Sequence, residues 1–313
     1  MTFGVLSWNF CVWTNSRNGQ KVKFLDSLNW SIALLQEVSP EAVDVIRSGI
    51  PGVSVVSGVE LLKAQADPAQ PEAPASKVRD FGCAILARNG AKILESGLIP
   101  SAELDPDSKS DLTRFRDASL PLVESLVWAR VQMPDGTVIN AVAAHPPHSA
   151  GKGEDRAMRI ERKLRTYAAL ERWVKDRTNV VVGIDGNAWI DTACKDPFDL
   201  LAIPKTREDP QIAVSDFFYD GPERHGLQDV YREWLHQDPA RIDAIHSRRP
   251  HGPLAVTFVR GTTRKVADRF DAIMASPAFA VQQVDHSYED SVSAGSDHSY
   301  VLAQLEASDG RAS

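Results

Sequence analysis

Polar side chains recur at one kind of place along this chain, at or near one end of a short apolar run. Asn9 closes the run ending Ser7-Trp8-Asn9, and Gln36-Glu37 follows Leu34-Leu35. His145 follows Val138–Ala144, and Asp185-Gly186-Asn187 follows Val180–Ile184. Asp271 lies in Arg269-Phe270-Asp271-Ala272-Ile273, and Asp297-His298 comes just before Tyr300–Leu305. Gathered at one rim, these groups would make a pocket of oxygen ligands with two histidines. Carboxylate and amide oxygens without cysteine suit a hard cation such as Mg²⁺ or Mn²⁺ rather than zinc. Imidazole beside carboxylate suits proton transfer, or stabilisation of charge on a phosphate. The chemistry is metal-assisted attack of water on a phosphoester. Taken singly, most of these residues read as turn residues, a capping acid or a loop histidine; their series is what carries the inference.

The elements that must position them are short. Phe3–Trp8, Ser31–Leu35, Phe81–Ala87, Ser125–Val131, Val138–Ala144, Val180–Ile184, Phe270–Ala275 and Tyr300–Leu305 have the length and composition of strands. Met133-Pro134-Asp135-Gly136-Thr137 joins two of them as a hairpin. Ser39-Pro40-Glu41 opens a helix as N-cap, first-turn proline and first-turn acid. Glu154–Asp176 is the longest amphipathic stretch, with Leu164, Tyr167, Leu170, Trp173 and Val174 on one face. Polar, proline-bearing segments at 64–80 and 100–117 read as surface insertions. Strands outnumber helices and are mostly hairpin-connected, so the expected class is α+β, two sheets packed face to face with helices outside.

Composition excludes several classes. At 43% hydrophobic and 25% charged, the chain is neither disordered nor collagen-like. Cys11, Cys83 and Cys194 are odd in number and widely spaced, which argues for buried thiols in a reducing compartment. The start MTFGVLSWNF lacks the form of a signal peptide, and no long apolar run promises a membrane span. A cytoplasmic protein without membrane insertion is expected, and no obligate protein partner is evident. The net charge of −7 argues against coating nucleic acid by bulk charge.

The ordered set resembles the endonuclease/exonuclease/phosphatase superfamily. The matching pieces are Val5-Leu6-Ser7-Trp8-Asn9, Leu35-Gln36-Glu37, Gly82–Arg88, His145, Asp185-Gly186-Asn187, Gly226–Arg232, Thr257-Phe258, Arg269-Phe270-Asp271 and Ser296-Asp297-His298. The resemblance implies one domain over 1–313, a four-layer α/β sandwich of two mixed β-sheets with outer helices. It implies Glu37 as principal metal ligand, helped by Asn9 and Asp297. Asp185 would orient or deprotonate the attacking water, and Asn187 would hold a phosphate oxygen. His298, oriented by Asp271, would stabilise developing charge, and His145 would protonate the leaving oxygen. Two departures stand out. The family's Gly-Asp-x-Asn is here Ile184-Asp185-Gly186-Asn187, and the carboxylate that would orient His145 is not obvious, Asp80 being the candidate.

The resemblance leaves the phosphoester open. Lys152–Arg177 holds nine basic residues against five acidic, and Arg241–Arg269 seven against two, so positive charge is local on an acidic chain. The second segment abuts Asp271 and makes Arg269 a candidate substrate contact, with a nucleic-acid backbone as the expected partner. Trp189 is a candidate for stacking on a base or headgroup. Trp13 has the same potential, although packing is the expected role of each. The leading expectation is a metal-dependent phosphodiesterase, a nuclease acting on DNA or RNA. The alternatives are a hydrolase of a small phosphate ester, such as an inositol phosphate or sphingomyelin headgroup, and a non-catalytic binding module of the same fold.

Overall fold

The computed structural model of the chain describes residues 1–65, 81–99, 125–148, 153–187, 190, 217–218, 225–250, 253–261 and 266–307. Its first sheet has six strands in the order β13-β14-β1-β2-β4-β3. These are β1 (Thr2–Asn9), β2 (Ile32–Val38), β3 (Ser54–Ser57), β4 (Gly82–Ala87), β13 (Phe279–Ser287) and β14 (Tyr300–Ala307). The second sheet runs β5-β6-β7-β8-β12-β9. It consists of β5 (Lys92–Leu98), β6 (Leu126–Gln132), β7 (Val138–Ala144), β8 (Val180–Asp185), β9 (Gln228–Asp229) and β12 (Asp271–Ala275). A small antiparallel ribbon of β10 (Phe258–Arg260) and β11 (Val266–Asp268) stands apart.

Seven helices are described: α1 (Asn18–Ser27), α2 (Pro40–Gly49), α3 (Gly58–Gln65), α4 (Gly153–Lys175), α5 (Val230–His236), α6 (Pro239–Arg248) and α7 (Tyr288–Ala294). The predicted cap holds: the Ser39 side chain accepts from the Ala42 N–H, with Pro40 in the first turn. Hairpin connection is less dominant than the sequence reading expects. β1 and β2 pair in parallel across α1, and β7 and β8 pair in parallel across α4, so both sheets are mixed. Ala64 and Gln65, the first residues of the expected 64–80 insertion, are helical in α3; positions 66–80 and 100–117 lie outside the described residues.

The period-two alternation of the strands sorts their side chains into layers. Val5 of β1, Ile32 and Leu34 of β2, Ala141 and Ala143 of β7, Val181 of β8 and Ile273 of β12 meet in the core between the sheets. Leu6, Trp8, Ala33 and Leu35 face outward onto Val22 and Leu25 of α1 and Val43 and Ile46 of α2. Val180, Val182, Ile184, Ala272 and Met274 face the other way, onto Tyr167, Leu170 and Val174 of α4. The result is four layers, helix–sheet–sheet–helix. Continuing the alternation in steps of two past these inward side chains brings Asn9, His145 and Asp185 to the inner face at the strand ends; Asp271, two before Ile273, shares it.

Candidate active site

Asp185 is the hub, and it is fully buried. Asn9 Nδ2 donates to its Oδ2 across the two sheets at 2.9 Å, and the Asn187 N–H donates to its Oδ1 at 2.8 Å. His145 Nε2 lies 3.5 Å and His298 Nε2 3.8 Å from the same Oδ2. Burial alone would raise the Asp185 carboxyl, but His298, then His145, and the Asn187 N–H outweigh it and hold it well below the usual carboxylate range. The ladder explains the neighbourhood: Asp271 pairs with Asp185 between β12 and β8, and Ala144 pairs with Ile184 between β7 and β8.

His298 is held on all sides. Its Nδ1 lies 2.9 Å from Asp271 Oδ2, its N–H donates to Ser296 Oγ, and its carbonyl accepts from Trp8 Nε1 at 3.1 Å. The Phe258 ring stacks on the imidazole with centroids 4.5 Å apart. Thr257 fixes Asp271 in turn, its Oγ1 accepting from the Asp271 and Phe270 N–H groups. Burial works against charge on His298, yet Asp271 and then Asp185 outweigh it and raise the imidazole far above its ordinary range. Burial, reinforced by Asp185 and opposed by His298, raises the Asp271 carboxyl. Ligand atoms of Asp185, Asp271 and His298 lie within 4.8 Å of one another. A charged imidazole offers no lone pair to a metal, so this trio reads as a cationic contact braced by two carboxylates.

Glu37 reaches the site through a break in the ladder. The register between β2 and β4 shifts between Leu35 and Val38, and Glu37 adopts φ +53°. Its Oε2 accepts from the Val12 N–H at 3.3 Å and its Oε1 lies 3.7 Å from His145 Nε2. Cys11 and Asn187 also have positive φ, 51° and 49°, so three left-handed residues ring the pocket. Such conformations persist for a non-glycine only where the surroundings over-determine them. Asp297 is exposed at the rim and hydrogen-bonds the Cys11 thiol; burial first, then Asp297 and Glu37, push that thiol up to about 11.

The structure brings together Asn9, Glu37, His145, Asp185, Asn187, Asp271 and His298, with Asp297 beside them. Both ends of the Asn9 amide are used within the protein, since its Oδ1 accepts from the Cys11 N–H at 2.8 Å. The partner sought for His145 is not in its sequence neighbourhood: its Nε2 faces Asn187 Nδ2 at 2.8 Å, then Asp185 and Glu37. Asp80 and Trp189 lie outside the described residues.

Arg269 requires a correction. It is 1% exposed and makes a bidentate pair with Asp229, both bonds 2.8 Å, so its charge is satisfied internally and is not offered to a substrate. Other basic residues of its segment are likewise engaged, Arg260 with Asp268 and Arg249 with the Leu254 carbonyl.

Three supporting residues escape the sequence reading. Lys21 of α1 is buried, its ammonium donating to the Phe10 and Cys11 carbonyls at 2.7 and 3.1 Å and to Thr14 Oγ1 at 3.2 Å. Burial lowers it to about 8. The one available signal is its place on the buried stripe Asn18, Lys21, Val22, Leu25. On α4, Tyr167 donates to the Gly186 carbonyl at 3.2 Å and Lys163 to the Asn187 carbonyl at 3.1 Å. This also accounts for the glycine within Asp-Gly-Asn: a Cβ at Gly186 would stand 3.0 Å from the Tyr167 hydroxyl.

No family model matches the chain, and no curated protein does. Solved structures do. It is similar to D. rerio TDP2 complexed with single strand DNA product, at 14% identity over 97% of this chain and 99% of that one, with a TM-score of 0.60. It is similar to an endonuclease/exonuclease/phosphatase from Bacteroides vulgatus, at 16% identity over 98% and 99%, TM-score 0.60. It is also similar to the mannosyl-6-phosphatase Bt3783 of Bacteroides thetaiotaomicron, at 16% identity over 97% and 99%, TM-score 0.54. Among the described residues, no helix is long and apolar enough to cross a membrane. In fold, the chain is an α/β sandwich similar to those of solved endonuclease/exonuclease/phosphatase structures.

Proposed function

We propose that this protein is a divalent-metal-dependent phosphoesterase that hydrolyses phosphodiester bonds in nucleic acid. The observation that carries the reading is the cluster in which His298 lies 2.9 Å from Asp271 and 3.8 Å from Asp185, while His145 reaches Asp185, Asn187 and Glu37. A binding module has no need of so costly an arrangement.

Glu37, Asn9 and Asp297 would hold the cation, Mg²⁺ or Mn²⁺. Four acidic side chains, Glu37, Asp185, Asp271 and Asp297, gather there, and buried Asp271 Oδ1 has no hydrogen-bond partner among the described residues. That donor set suits a hard dication. A bound cation supplies Lewis-acid stabilisation of phosphoryl charge. The rest falls to the chain. Asp185, ionised and fixed by Asn9 and the Asn187 N–H, orients the attacking water and accepts its proton as the new P–O bond forms. Asn187 Nδ2 donates to a phosphate oxygen, and His298 places positive charge where negative charge develops. His145, beside both carboxylates, passes a proton to the leaving oxygen.

TDP2 and the mannosyl-6-phosphatase are similar to this chain at nearly equal identity, so the fold accommodates both a DNA product and a sugar phosphate. Nucleic acid is favoured here by the single strand DNA product held by TDP2, which matches this chain at a TM-score of 0.60 against 0.54 for the mannosyl-6-phosphatase. The test is hydrolysis of bis(4-nitrophenyl) phosphate and nicking of plasmid DNA with Mg²⁺, Mn²⁺ or chelator. Asp185→Asn and His298→Ala should each lower turnover by about 10²- to 10⁴-fold. Full activity in either variant sinks the mechanism; turnover of sugar or inositol phosphates without nicking selects the small-ester reading.

A further inference from the structure

Trp13 is 82% exposed, far more than the other exposed large hydrophobic side chains among the described residues, Met1, Leu94, Val266 and Val292. The packing role expected from sequence is therefore not its role here. An indole left in water is ordinarily a liability, so its place in the fold matters.

That place is beside the reacting groups. Trp13 belongs to the 3₁₀ segment Val12–Arg17, and the residue before it gives its N–H to Glu37. The segment is pinned on several sides. Thr14 Oγ1 donates to the Gly295 carbonyl at 2.6 Å, Lys21 gathers the Phe10 and Cys11 carbonyls and Thr14, and Arg17 donates to the Ser293 carbonyl. A pinned backbone thus presents an indole to solvent one residue after the N–H that meets Glu37, the acid assigned to the cation. Phe81, directly preceding β4, meets its ring edge-to-face with centroids 6.3 Å apart, so one edge is braced.

We propose that Trp13 is a base-stacking platform, a specificity-determining residue that takes the planar ring of the nucleotide adjoining the scissile phosphate. The proposal rests on the reading of the site as acting on nucleic-acid phosphodiesters. A stacking platform needs a rigid, solvent-facing ring near the phosphate track, and it is tolerant of sequence because every base has a π-face. A lipid surface would instead be met by several apolar side chains together, whereas Trp13 is the sole aromatic among the exposed large hydrophobics of the described residues.

The test is binding by fluorescence anisotropy, in chelator to prevent turnover. The probes are a labelled short oligothymidylate and a labelled base-less deoxyribose-phosphate strand of equal length. The wild type should prefer thymidylate. Trp13→Ala should weaken thymidylate binding roughly 5- to 150-fold and leave base-less binding unchanged, and Trp13→Phe should retain most of the preference. The proposal is overturned by equal binding of thymidylate to wild type and Trp13→Ala, by equal losses on both strands, or by Trp13-dependent binding to sphingomyelin vesicles in place of thymidylate. Bis(4-nitrophenyl) phosphate turnover by the wild type is measured in parallel. Turnover without a Trp13 effect rejects the platform alone, whereas a Trp13 effect without turnover rejects the hydrolase alone.

Discussion

At the scale of single residues, the site is built from groups that would be unfavourable anywhere else. Lys21 is the clearest supporting case. Its ammonium has no water, but three oxygens of the segment after Asn9 replace its hydration. Removing it strands those acceptors in the interior. Lys21→Met is therefore expected to cost about 2–4 kcal/mol, read from urea unfolding midpoints, because each abandoned buried acceptor costs about 1–3 kcal/mol. Activity should fall further than stability, since the same segment carries the Val12 N–H that meets Glu37. His286 shows the opposite solution, a group kept neutral. Burial first, then Arg269 and Arg249, pull its imidazole down to about 4, against Asp285 and Glu289. Its folded value lies below the unfolded value of about 6.5. Its contribution to stability is thus fully present above about pH 6.5 and is lost as pH falls from there towards 4. His286→Gln should accordingly lose less stability than the wild type between near pH 7.5 and near pH 5; an unchanged difference in unfolding midpoint would show that the imidazole titrates alike in the folded and unfolded states.

At the scale of elements, strand alternation made much of the site legible. Asn9, His145 and Asp185 continue the inward parity of β1, β7 and β8, so apolar runs ending in polar residues announce both strand and site. Glu37 was legible as a residue but not as a geometry, because a bulge and a left-handed backbone aim it, and neither has a sequence signature. Arg269 misled for a related reason. Charge beside a site reads as substrate contact, whereas here it ties the start of β12 to Asp229 at the end of β9, which also caps α5. Nothing in sequence spacing places positions 229 and 269 side by side. Arg269→Met is expected to cost about 3–5 kcal/mol, because the Asp229 charge would be left buried. A double-mutant cycle with Asp229→Asn should return a coupling of about 1–3 kcal/mol in thermal or urea unfolding. Additive losses would mean that the two side chains act separately. The strands β5 and β13 and the helix α1 have weak or mixed patterns and were found only in three dimensions, where neighbouring strands supply the burial that their own sequences do not advertise.

At the scale of the whole molecule, the two sheets act as the jaws of one site. Asn9 and Glu37 come from the first sheet, Asp185 and Asp271 from the second, and the spacing between them is set by packing across the core. At Gly183 the two sheets approach closely: a Cβ there would stand 2.6 Å from Leu34 Cβ and 2.9 Å from Ser7 Oγ. Gln36 bridges the same seam, donating to Leu34 O and Gly183 O at 3.0 and 3.3 Å. Gly183→Val must force the sheets apart, at about 1–3 kcal/mol of overpacking. Turnover should drop disproportionately, because a displacement of about 1 Å between catalytic groups can cost about 10²-fold. Measured kcat against melting temperature separates the two effects. The strand order has a further consequence, and it concerns time. β14 lies between β1 and β13, so β1, already beside β2, gains its antiparallel partner only from a strand far along the chain. Asn9 emerges from the ribosome early, whereas Asp297 and His298 emerge just ahead of β14. A growing chain therefore carries every earlier part of the site and no working site at all. On the reading proposed above, no hydrolysis is expected before β14 has been made and has paired with β1, because Asp297 and His298 come just ahead of it.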